Sequence, residues 1–187
     1  MLLDAGVGIL LSVFISSAFS IQLSVGLAAM GILFALLPDI DFWIEFALHG
    51  SVGGKVVGEH RAISHFPITY IPVIALAWYV WGGAWALFLG AGLFSHLIHD
   101  SMGIGWGIAW LWPFSSKVFK CFSEKNGDFS TRLVVAWSQE ELVEVAAVHG
   151  DTDWIRNIYL KAHPINLIES YFFLMSIVVL ALHVHLS

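Results

Sequence analysis

Residues 94–103 read FSHLIHDSMG and close a thirty-residue run, 66–95, with no charged residue and no histidine. His96, His99 and Asp100 then arrive within five positions. On a helix His96 lies three residues from His99 and four from Asp100, so the three share a face. An imidazole and a carboxylate at that spacing can bind one metal ion from a single helix. Two further polar clusters resemble this one. LLPDIDF sets Asp39 and Asp41 directly behind Pro38, and GEHRAISHFP carries His60, Arg61 and His65. Mixed nitrogen and oxygen donors without thiolate favour Zn, Mn or Fe over a structural cysteine-rich site. The six candidate ligands, Asp39, Asp41, His60, His65, His96 and Asp100, exceed what one tetrahedral ion takes. One to three ions are expected, and two sharing a carboxylate would use all six and activate a bridging water.

Each cluster also has a plainer reading. An Asp-x-Asp pair behind a helix-ending proline is commonly a solvated turn or the cap of the next helix. From a proline-broken segment, Asp39 and Asp41 would both point inward only on non-helical backbone. Interfacial His and Arg commonly meet lipid headgroups, and a His/Asp pair at a helix end can be purely structural. What favours the metal reading is the convergence of three clusters on one membrane face. His99 is expected to orient a ligand, shuttle a proton or cap its helix. Arg61, beside His60, is placed to hold a phosphoryl oxygen bidentately. Glu45 and Glu59 are expected in solvated loop positions, as are His49, His149 and His163 in polar segments. His183 and His185 are expected at the membrane interface.

The elements that must position these residues follow from charge patterning. The chain has 187 residues, of which 58% are hydrophobic and 12% charged, and its mean hydropathy is +0.82. Soluble domains carry about 25% charged residues, so the setting is a membrane. A net charge of −6 argues against a nucleic-acid partner. Cys121 is the only cysteine, which excludes an intrachain disulfide. MLLDAG lacks the basic start of a signal peptide, so the first apolar run is expected to be retained structure.

Residues 5–38, 66–95 and 170–182 carry no charge. As single helices the first two runs would span roughly 50 and 45 Å, against a bilayer core of about 30 Å. Each therefore reads as a helical hairpin, broken near SIQLS at 20–24 and WGG at 81–83. Helices are expected near 5–20, 23–37, 67–81, 84–102 and 165–186. The expected fold is all-α: a single membrane-embedded domain over 1–187, two hairpins plus a C-terminal helix, and a small cap at about 103–164. In that cap, GIGWGIAWLWPFSSKVF suggests irregular or short extended structure, and SQEELVEVAAVHG suggests a helix capped by Ser138 with Glu141 at the capping-box position. All eight Lys and Arg fall in segments 39–65 and 103–164. The positive-inside rule makes that face cytoplasmic.

LPDIDF, HRAISHF, FSHLIHD and WLWPF, in this order, resemble the YdjM-like family of membrane-bound metal-dependent hydrolases of the inner membrane. The likeness covers about residues 23–115. It implies a distant relation to zinc-dependent phospholipase C and P1 nuclease, and metal roles for Asp39, Asp41, His60, His65, His96 and Asp100. Two departures stand out. The family often has a histidine near the start of the first helix, where this chain has only Asp4, and its HRG-THS block appears here as HRAISHF. The resulting expectation is a metal-dependent phosphoesterase of the inner (plasma) membrane. It would act through metal-activated water on a lipid or membrane-associated phosphate ester at the cytoplasmic surface. Two alternatives stand beside it. A metal-free phosphatidic-acid-phosphatase-like enzyme also uses a His four residues before an Asp, but its Lys-and-Arg block and PSGH block are absent. A non-enzymatic divalent-metal carrier or scaffold would place its ligands near mid-bilayer, whereas these cluster at helix ends.

Overall fold

The computed structural model describes residues 1–50, 52–55 and 64–186. The chain is mostly helical and forms two compact units, one of residues 1–37, 70–96 and 162–187, the other of 38–69 and 97–161.

The first unit contains α1 (Leu2–Phe19), α2 (Val25–Leu36), most of α4 (Pro67–Trp81), the larger part of α5 (Gly83–Met102) and α8 (Pro164–Leu186). Ser20 in a left-handed conformation ends α1 by donating its backbone N–H to Ser16, and the Ser24 side chain caps α2 by accepting from the Leu27 N–H. The first hairpin break therefore falls at 20–24, as its polar residues suggest. Packing depends on small residues. A Cβ on Gly8 would lie 2.4 Å from the Gly31 carbonyl oxygen, and one on Gly31 would lie 2.2 Å from that of Gly8. Backbones in such contact gain dispersion energy where lipid offers no hydrophobic drive for helices to associate. Ile15, Leu27 and Phe88 form the buried cluster beside this crossing. Among the described residues, three stretches are long and apolar enough to cross a membrane: Leu2–Phe19, Val25–Leu48 and Pro164–Leu186; Pro67–Trp81 is apolar but shorter.

α2 ends within a residue of its expected boundary, but the segment after it, expected as a loop, is helical. The helical path does not stop at Pro38: a 3-10 turn (Leu37–Asp39) leads directly into α3 (Ile40–His49). Pro38 removes one backbone donor, which a short 3-10 step accommodates at a helix start. The apolar residues Ile40, Phe42, Trp43, Ile44 and Phe46 then sustain a helix that the two carboxylates obscure in the charge pattern.

The second unit is also not all-α. β1 (Val118–Ser123) and β2 (Phe129–Trp137) form an antiparallel pair, with Val118 opposite Trp137 and Lys120 opposite Val135. Extended structure was expected near this segment, but the length of the hairpin was hidden because its faces do not alternate cleanly. Trp137 is fully buried against Val118, Val135 and Leu142. α6 (Gln139–His149) begins with the full Ser138/Glu141 capping box, and α7 (Trp154–Tyr159) follows.

Candidate metal centre

In the second unit, three sequence candidates meet around the imidazole of a fourth. His65 is buried, 1% exposed, and directly precedes the segment where Pro67 opens α4. Its Nδ1 lies 3.5 Å from Asp41 Oδ2, while its Nε2 lies 3.3 Å from Asp100 Oδ2 and 3.8 Å from Asp39 Oδ1. Asp39 belongs to the 3-10 turn and Asp41 to the first turn of α3. The expectation that both point inward only from non-helical backbone is thus corrected. Helical residues two apart face nearly opposite ways, and here they approach opposite nitrogens of the same ring. Asp39 occupies the cap position of α3 but its side chain makes no cap hydrogen bond.

Ser64 divides the roles of the two ring nitrogens. Its Oγ donates to Asp41 Oδ2 and lies 2.9 Å from His65 Nδ1. A hydroxyl has one hydrogen, so with that hydrogen on Asp41 the Oγ can accept from an Nδ1–H, the tautomer that would leave Nε2 to a metal. Nε2 faces the Asp39 and Asp100 carboxylates. An imidazole nitrogen beside two carboxylates is a donor set that a cation can join. Donors about 2.0–2.2 Å from a tetrahedral ion are separated by about 3.3–3.6 Å, close to the 3.3 and 3.8 Å found here. One imidazole and two carboxylates, with Asp41 and Ser64 holding the ring from behind, suit Zn, Mn or Fe. The donor set fits a divalent metal.

Asp100 lies in the last turns of α5. It follows His96 by one turn of α5, and the neighbouring Ser101 donates to the Leu97 carbonyl at 2.8 Å while accepting from Trp110 Nε1 at 2.8 Å. His99 lies in the last turn of α5, half-buried, with its ring over Gly103. His60, Arg61 and Glu59 lie outside the described residues. Cys121 sits in β1 and is not among these donors.

In the first unit His96, 1% exposed, has Nδ1 3.6 Å from Asp4 Oδ1. Asp4 is fully buried, with its Oδ2 3.0 Å from the Met1 amino group, which also lies 3.3 Å from Glu169 Oε2. Asp4 and Glu169 were not read as site residues. Their signal was the one that exposed Asp39 and Asp100: each is the last acid at the edge of a charge-free run.

Comparison with known proteins places the chain by family. A family profile described as YdjM inner membrane protein matches residues 2–185. The inner membrane protein YbcI of Escherichia coli (strain K12) is 36% identical over 98 residues, covering 48% of this chain and 54% of that protein. The chain thus spans about half the length of this curated relative. No solved structure matches the chain.

Proposed function

The chain belongs to the YdjM inner membrane protein family, and from that premise we propose that it is a membrane-bound metal-dependent hydrolase acting on a phosphate ester of a lipid or membrane-associated molecule. One observation carries the reading: Nε2 of the buried His65 faces carboxylates from two other chain segments at the separations expected of donors to a shared ion. Asp39, His65 and Asp100 would hold the metal, and His60 and His96 remain candidates from the sequence pattern. When bound, a divalent ion supplies Lewis acidity towards water and phosphoryl oxygen. Asp41 and Ser64 keep the His65 ring in the tautomer that leaves Nε2 to the metal. His99, at the end of the same helix, is available for proton transfer, and Arg61 for a phosphoryl oxygen.

The distant relation to zinc-dependent phospholipase C that the family resemblance implies favours a lipid phosphate ester. Apolar helices on the scale of the bilayer support the first membrane hairpin and α8, and the shorter apolar Pro67–Trp81 is in keeping with a second hairpin. The restriction of all eight Lys and Arg to segments 39–65 and 103–164 supports a site on the cytoplasmic face.

The test uses full-length protein purified in detergent. Bound metal is measured by elemental analysis and hydrolysis with a short-chain phospholipid and p-nitrophenyl phosphate. Wild type should carry metal and lose activity to a chelator, and Asp100→Asn should lose both together. Activity that survives removal of all metal, with a phosphohistidine trapped at His96, would instead establish the metal-free phosphatase. Stoichiometric metal without hydrolysis of any ester would leave a non-enzymatic metal-binding protein.

A further inference from the structure

The second unit contains a cleft of about 240 Å³ outside the cluster around His65. Its walls come from the turn at 104–106, β1, the β1–β2 turn, the end of α6 and the segment entering α7. Pockets for drug-sized ligands run to about 300–1,000 Å³, so this one suits something smaller than a nucleotide or an entire lipid.

The walls are tethered in advance. Lys120 Nζ donates to the Gly105 carbonyl at 2.7 Å, and Trp154 Nε1 donates to that of Val52 at 2.8 Å. Trp106 stands edge-on to Trp137 at 6.2 Å and covers Gly127, where a Cβ would come 3.1 Å from the indole. Gly127 has φ +93°, so a side chain there would be strained as well as obstructive. Asn126 donates to Asp128 at 2.8 Å and Asn157 to Asp151 at 2.7 Å. The Asn157 amide, followed by the Asp153 backbone N–H, holds the Asp151 carboxyl below its ordinary range. Side chains fixed before binding lose little entropy when a ligand arrives.

Charge selects the ligand. Lys120 is 5% exposed, whereas Asp128, Asp151 and His149 are exposed. Free phosphate would meet two carboxylates, and a simple cation would meet the lysine. A molecule carrying both charges matches all of them: its anionic end beside Lys120, its ammonium towards the carboxylates and the indoles of Trp106 and Trp154, which attract cations. We propose that this cleft binds a small zwitterion containing a phosphate and an ammonium group. The proposal is independent of the hydrolase reading.

The experiment titrates full-length, chelator-treated protein with O-phosphoethanolamine, following heat and indole fluorescence, with inorganic phosphate and ethanolamine as separate controls. Saturable binding about tenfold or more tighter than either control is expected, the scale of one added charge or cation–π contact. Asp128→Asn, an exposed change compatible with folding, should weaken phosphoethanolamine about tenfold and leave phosphate unchanged. Lys120→Met should weaken both. A further titration with dihexanoyl phosphatidylethanolamine separates the sources: competition identifies a lipid headgroup, and its absence a free phosphoamine. Phosphate binding as tightly as phosphoethanolamine, glucose competing for the site, an unaffected Asp128→Asn, or no saturable binding would each overturn the proposal. Because metal is absent throughout, a failure here says nothing against the hydrolase, and failure of the hydrolase says nothing against this site.

Discussion

The two units hold a buried histidine by different means. In the first, His96 sits within a long apolar helix, facing the buried carboxylate of Asp4, among helices whose backbones touch through Gly8 and Gly31. In the second, His65 lies just before a helix, and its position depends on polar partners: Ser64 and Asp41 behind the ring, Asp39 and Asp100 in front. Close packing of small residues sets helix spacing over many residues, whereas a short polar segment is oriented by a few directional contacts. The scaffold should therefore be sensitive to added volume and the cluster to lost polar atoms.

The largest expected effect is His65→Ala, which removes the imidazole shared by the cluster. Elemental analysis should find bound metal lost outright. Full retention would break the assignment of His65 as a ligand.

Next is Gly31→Leu, which forces a side chain into the α1–α2 crossing. It should destabilise the protein by about 1–3 kcal/mol, read as a lower unfolding temperature in detergent. If both variants alter metal content and unfolding temperature alike, the contrast between scaffold and cluster fails.

Ser64→Ala should be subtler. The ring remains but its Nδ1 loses the acceptor that selects the tautomer, so metal affinity should fall about 10–100-fold. Cobalt titration would measure this by absorption. The same titration sharpens the division between the ring nitrogens: Asp39→Asn, on the Nε2 side, should cost more affinity than Asp41→Asn, which acts through Ser64.

Smaller again is Ser138→Ala at the start of α6, expected to cost about 1 kcal/mol of local stability and leave metal content unchanged. Hydrogen exchange of α6 amides would report it. The Glu141 side of that capping box gives the smallest effect, and it depends on pH. Its carboxylate accepts the Ser138 backbone N–H first and the Lys125 ammonium second, which lowers its pKa. A lowered folded-state pKa stabilises above the unfolded value and is lost as pH falls through the folded one. Protection of α6 should therefore be constant near neutrality and decline only at acidic pH, below the ordinary glutamate range. A decline centred near pH 7 would contradict this origin.

Much of the framework was legible before any coordinates. Long charge-free runs mark helices because unpaired charges are costly in lipid, and α1, α4, α5 and α8 fall within a few residues of the expected spans. The α6 cap was legible because a capping box is local, its donors and acceptors lying within four residues. α2 also ends within a residue of its expected boundary, but α3 was missed because hydropathy registers the two carboxylates while backbone geometry does not. The β1–β2 pair was obscured because it depends on partners across a turn rather than on one clear face.

The sequence by itself determined the apolar helices, the local caps and which residue types could bind metal, since each follows from neighbours a few positions apart. Tertiary structure alone decided how those residues combine. It set Asp39 and Asp100 against one nitrogen of His65 and Asp41 against the other, it placed Asp4 beside His96, and it assembled the Lys120 cleft from distant stretches. Those arrangements follow from chain crossings and side-chain directions across dozens of residues, which no short-range pattern encodes.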